Sequence, residues 1–244
     1  MKEGFSWEEL SPSLSICVSS AHKFGTDAFL LSDFASPRRK DLCCDLGTGC
    51  GIIPLLWFRD EPPRLCYGVD IQKQAVMQLE QSVQKNGLEG RLFPLRADLK
   101  ELSSLPCGPL DLVTCNPPYK AQGSGILSGM DAEKIARHEV LCTIDDVCGA
   151  AARLLRFGGR LCLCQRPERL TDAMAAFREN GVEPKRLRLV EQRPGSAPML
   201  FLLEGRRGGK PGLALLPTLR IEAADGGFSP EMLEIYGDYK TGHT

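Results

Sequence analysis

The stretch Asp41-Leu42-Cys43-Cys44-Asp45-Leu46-Gly47-Thr48-Gly49-Cys50-Gly51 constrains the fold more than any other part of the chain. An apolar run ends on an acid, Gly47, Gly49 and Gly51 follow at every second position, and a second apolar run extends from Ile52 to Phe58. The pattern reads as strand, tight turn and helix. Glycine suits such a turn because a backbone without Cβ bends sharply and lets a ligand lie against it. The helix opens with unpaired N–H groups, so the turn also offers donors. About 20 residues on, Asp70 ends the next apolar run, where an acid suits the two hydroxyls of a ribose. The order of glycines differs from the G-x-G-x-x-G of dinucleotide sites, which present a helix end to a pyrophosphate.

The alternation continues downstream. Ala75, Val76, Leu79 and Val83 share one face of a helix from Gln72 to Asn86, stopped by Gly87. Arg91 to Ala97 and Leu110 to Cys115 read as strands. Thr143-Ile144-Asp145-Asp146 opens a helix to Arg156, closed by Gly158-Gly159, and Arg160 to Gln165 is the next strand. A helix from Pro167 to Asn180 follows. Arg186 to Gln192 and Met199 to Glu204 are joined by a connection that suits an antiparallel hairpin. Alternating strands and helices predict an α/β, doubly wound, mostly parallel sheet with its ligand at the carboxyl ends of the strands. Asp45, Asp70, Asp98 and Asn116 all fall at such ends. Three stretches are expected: an extension over residues 1–40 covering the pocket, a catalytic domain over 41–205, and a tail over 206–244 with a polar end. Thr26 or Asp27 is expected to cap the helix Ala28 to Ala35.

Composition narrows the function. No run reaches 18 apolar residues and the first residues, Met1 to Trp7, do not read as a signal peptide, so a cytoplasmic location away from membranes is expected. The 11 cysteines are scattered without a CxxC pair, which predicts core hydrophobes and no metal site. A net charge of −1 gives no global pull toward nucleic acid. RNA contact would have to use local clusters: Arg38-Arg39-Lys40, Lys185-Arg186 with Arg188, and Arg206-Arg207 with Lys210.

Asn116-Pro117-Pro118-Tyr119 carries the chemistry. The lone pair of an exocyclic amine on a base is conjugated into the ring, so the amine is a poor nucleophile. Two acceptors for its N–H bonds favour a pyramidal nitrogen. Asn116 offers an amide oxygen and Pro117 a carbonyl, with the backbone fixed by the prolines. Tyr119 offers a flat face for stacking. No strong base is needed, because the proton becomes acidic once the nitrogen is alkylated.

Asp45-Leu46-Gly47-Thr48-Gly49-Cys50-Gly51 resembles the first motif of class I S-adenosylmethionine-dependent methyltransferases, which share a seven-stranded sheet with one antiparallel strand near the C-terminal edge. Asn-Pro-Pro-Tyr resembles the motif of enzymes that methylate adenine N6, guanine N2 or the glutamine amide. Lys23 to Asp27, the glycine motif, Asn116 to Tyr119, Ala136-Arg137-His138-Glu139, Arg166 to Leu170 and Glu183 to Leu187 run in one order. Together they resemble the bacterial tRNA-valine (adenine-N6) methyltransferase family, which acts next to the anticodon. The resemblance implies a tRNA substrate and S-adenosylmethionine, leaving as S-adenosylhomocysteine. Cofactor contacts are expected at Thr26, Asp27, Asp45, Gly47, Gly49, Gly51, Asp70, Ile71, Asp98, Leu99 and Asn116, with Asp70 on the ribose and Asp98 on the adenine amino group. Asn116, Pro117 and Tyr119 are the expected catalytic set, and His138 is a family loop residue. Release-factor glutamine methyltransferases carry a long helical domain before the glycine motif, and guanine-N2 enzymes of ribosomal RNA often carry a duplicated domain. Here only positions 1–40 precede the motif and no second copy is present. The sequence leaves the oligomeric state open, a monomer included.

Overall fold

The structure is a computed structural model that describes residues 4–20, 23–117 and 142–241. Among the described residues its centre is a sheet of nine strands. β3 (Leu42–Leu46), β4 (Leu65–Asp70), β5 (Leu92–Arg96), β6 (Leu110–Cys115) and β7 (Leu155–Gln165) run parallel, with β3 between β4 and β6. β8 (Val182–Glu191) and β9 (Pro198–Arg207) form the expected hairpin, and β9 lies antiparallel between β7 and β8. The seven-stranded order is therefore present, and two short strands, β10 (Ala214–Leu215) and β11 (Leu219–Arg220), add to the outer edge of β8. Those pairings escape periodicity because each is only two residues long.

Helices cover both faces, and each face has its own core. α1 (Thr26–Ala35), α2 (Ile52–Arg59) and α3 (Lys73–Lys85) pack on one side. α4 (Ile144–Leu154) and α5 (Leu170–Glu179) pack on the other, α5 preceded by a short 3₁₀ turn. Thr143 and Asp146 form the expected capping box of α4. That helix ends earlier than expected, at Leu154, and β7 starts at once. Gly158 and Gly159 lie inside β7, where the ladder to β6 shifts register. A Cβ on Gly159 would stand 2.9 Å from the Leu110 carbonyl oxygen, so glycine there admits a close strand approach. Neither Thr26 nor Asp27 caps α1, whose N-cap is Gly25 without a side-chain bond.

The opening residues form an antiparallel pair, β1 (Phe5–Ser11) and β2 (Leu14–Ser19). The other edge of β2 meets α3. Ser82 Oγ accepts from the Cys17 N–H at 2.9 Å, and Gln78 Nε2 donates to the Cys17 carbonyl at 3.1 Å. Asn86 exchanges two bonds with the Ser15 backbone, at 2.9 and 2.7 Å. Gln78, Ser82 and Asn86 recur every fourth residue, so one stripe of α3 stands in for a neighbouring strand.

The C-terminal stretch returns to this side. Its polar appearance hides α6 (Pro230–Tyr236), with Ser229 as N-cap and Met232, Ile235 and Tyr236 buried, followed by α7 (Asp238–Thr241). Arg59 donates to the Ile235 and Tyr236 carbonyls. All 11 cysteines are free thiols, nine of them buried, and burial pushes the thiols of Cys43, Cys44, Cys66 and Cys115 well up. Among the described residues no helix is long and apolar enough to cross a membrane.

Candidate active site

The loop between β3 and α2 holds Gly47, Gly49 and Gly51 at φ of +68°, +57° and +86°. Side chains rarely adopt these values, so glycine is required at all three. They differ in surroundings. A Cβ on Gly47 or Gly49 would meet nothing within 4 Å, whereas one on Gly51 would run into Leu79 of α3. Gly51 allows helix packing, and Gly47 and Gly49 leave open backbone.

Asp70 closes this loop. Its buried carboxylate accepts from the Gly49 N–H at 2.9 Å and the Gln72 N–H at 2.8 Å. Each carboxylate oxygen has a further lone pair, so the group ties β4 to the glycine loop and still has capacity for hydroxyls. One cavity is lined by Gly47, Asp70, Ile71, Asp98, Leu99, Asn116 and Pro117, together with Gln72 and Cys142. Sequence reasoning did not single out the last two, which carry no motif.

Five of the expected contacts lie elsewhere. Gly49 and Gly51 are not in that lining. Asp45 is 1% exposed beneath the turn and accepts from Thr114 Oγ1 at 2.7 Å. Burial pushes its carboxyl up to about 7, against the Thr114 bond that lowers it. Thr26 and Asp27 line a neighbouring cavity of about 370 Å³ with Arg166, Pro167, Met199, Leu200 and Ile221. Thr26 Oγ1 lies 2.7 Å from the Tyr236 hydroxyl.

Asp27 links the two cavities, since its Oδ2 accepts from Asn116 Nδ2 at 2.7 Å. A carboxylate accepts, so the Asn116 amide must turn its NH₂ toward Asp27. Its Oδ1 is then the other end of the amide. This pair spans 89 positions, and no local pattern in either segment announces it. Tyr119 and the Ala136–Glu139 motif with His138 lie outside the described residues. Among the described residues no group of three or more His, Cys, Asp or Glu is arranged to hold a metal ion.

The family profile described as methyltransferase small domain matches residues 18–178. A curated relative from Tolumonas auensis, named tRNA1(Val) (adenine(37)-N6)-methyltransferase, is 28% identical over 220 residues, 90% of each chain. A relative of the same name from Parabacteroides distasonis is 28% identical over 185 residues, 75% of this chain and 76% of its own. Among solved structures, a predicted O-methyltransferase from Agrobacterium tumefaciens aligns with a TM-score of 0.68 at 19% identity, over 87% of this chain and 96% of its own. The 16S rRNA N2 G1207 methyltransferase of T. thermophilus, solved with AdoMet and guanosine, aligns with a TM-score of 0.55 at 18% identity, over 84% of this chain and 51% of its own. These two likenesses are likenesses of fold.

Proposed function

This chain belongs to the methyltransferase small domain family, and from that premise we infer that it methylates the exocyclic N6 of an adenine in tRNA, using S-adenosylmethionine. The observation that carries the chemistry is the amide of Asn116, held by Asp27 at 2.7 Å at the rim of the cavity that Asp70 and Asp98 also line. The adenine and the tRNA are supported by the names of the relatives over most of their length.

The donor set suits the cofactor. Open backbone at Gly47 would face it, Asp70, braced by the Gly49 N–H, would take ribose hydroxyls, and Asp98 with the Leu99 backbone would take the adenine edge. When bound, the cofactor supplies an electrophilic methyl group on a sulfonium. The chain's own task is to prepare the amine. Asn116 Oδ1 and the Pro117 carbonyl accept its two N–H bonds, which draws the nitrogen toward pyramidal geometry. Pro167, Met199, Leu200 and Ile221 offer apolar surface to a base in the adjoining cavity. Positioning of this kind supplies roughly 7–11 kcal/mol of a barrier.

The test is mass spectrometry of nucleosides after incubation with bulk tRNA and labelled S-adenosylmethionine. N6-methyladenosine carrying label is expected. Label in N2-methylguanosine, or in a release factor offered in parallel, would overturn the assignment.

A further inference from the structure

A second, strongly charged cavity of about 660 Å³ lies away from this chemistry. It is lined by Arg38 and Arg39 after α1, Arg160 of β7, Lys185 and Arg186 of β8 and Arg206 of β9, against only Glu61 and Glu204. The fold thus joins residues from all three basic clusters of the sequence. Others are diverted: Arg188 pairs with Glu231, and Arg207 donates to the Leu155 carbonyl.

The charge is in surplus. Glu204 is buried and is shared by Arg186 at 2.7 Å, Arg160 at 3.3 Å and Arg206 at 4.0 Å. Arg160 also reaches Asp41 at 3.5 Å. Among the described residues no carboxylate pairs with Arg38, Arg39 or Lys185, and Arg186 Nε is buried without an acceptor. Arg160 and Arg186 are fixed further by donating to the Ala35, Ser36 and Phe34 carbonyls at the end of α1. The inner arginines are therefore held in place, Arg38 and Arg39 are exposed, and half-buried Lys185 donates to the Lys210 carbonyl at 2.8 Å with no carboxylate to neutralise it.

We propose that this cavity binds the phosphodiester backbone of the RNA substrate at a point remote from the modified base. The proposal rests on the RNA reading above. Cations spread over four segments suit a run of phosphates better than one converging anion. Position agrees. Asp27 and Ser36 stand at the two ends of α1, about 14 Å apart at 1.5 Å per residue. That span matches about four nucleotides of stacked strand. With a net charge of −1 for the chain, attraction for RNA must come from such a local surplus.

The test is tRNA binding to the full chain at several salt concentrations. Arg38→Gln, Arg39→Gln and Lys185→Gln are combined, because none of these side chains holds α1. The triple variant should bind S-adenosylhomocysteine as the wild type does. It should lose about tenfold or more in tRNA affinity, and its salt slope should fall by roughly 2–3, near 0.7–0.9 per phosphate contact. Wild-type affinity and slope in the variant would overturn this proposal alone. If the wild type itself bound no tRNA, this proposal and the RNA reading would both fall. Inorganic phosphate is titrated in parallel by calorimetry. Saturable phosphate binding that the triple variant loses, with its tRNA slope unchanged, would identify a small-anion site and overturn the backbone reading.

Discussion

The proposed chemistry turns on Asn116. Its NH₂ is committed to Asp27, so the orientation of its oxygen is set before any substrate arrives. Such an acceptor acts most strongly on an amine that changes shape as it attacks. Asn116→Ala should keep the fold and lower single-turnover methyl transfer on the order of 10²–10³-fold, the cost of one preorganised group. Asp27→Ala should lower it less, since the amide remains but loses the carboxylate that orients it. Wild-type rates in Asn116→Ala at saturating RNA and cofactor would reduce the motif to a turn. Asp45 allows a separate measurement. Burial raises its carboxyl to about 7, so between the ordinary value near 4 and about 7 the folded state holds a proton that the unfolded state has released. Stability should fall as pH rises through that window, by on the order of 4 kcal/mol, and level off above it. In Asp45→Asn this slope should be absent when denaturant midpoints are compared at pH 5 and pH 8.

At the scale of elements, what was legible depended on whether the signal was local. The glycine turn, the acids at strand ends, the capping box of α4 and the β8–β9 hairpin are written in short windows, and each formed where expected. The seam between β2 and α3 is not. Gln78 and Ser82 look like part of a solvated helix face, yet both are fully buried because their partners are backbone groups about 60 residues upstream. Asp27 and Asn116 were each singled out, but their bond joins segments that periodicity treats separately. The seam also makes a stability prediction. Ser82→Ala leaves the buried Cys17 N–H without its acceptor and should cost roughly 1–3 kcal/mol. Gln81→Ala, on the exposed face of the same helix, should stay within about 0.5 kcal/mol. Equal denaturant midpoints for the two variants would remove the seam as a source of stability.

At the scale of the whole molecule, the last described helices join the first segments. Tyr236 meets Thr26 through its hydroxyl and Phe29 through its ring, at a centroid distance of 5.0 Å. Tyr239 reaches Glu8 at 3.2 Å. The tail hid this role because Met232, Ile235 and Tyr236 are few and stand among acids. Tyr236→Phe should cost about 1 kcal/mol for the hydroxyl bond, and Tyr236→Ala roughly 3–5 kcal/mol for the buried ring. Thermal unfolding of the two variants separates the bond from the packing.

The same closure sets a schedule for synthesis. Thr26 leaves the ribosome 210 residues before the tyrosine that holds its hydroxyl. At about 5–20 residues per second that interval lasts roughly 10–40 s. As β3 to β7 emerge in turn they can pair, while Thr26, the residue beside Asp27, still waits for its partner. A nascent chain can therefore assemble its central sheet before the bond that ties the start of α1 to α6, and the polypeptide comes full circle last.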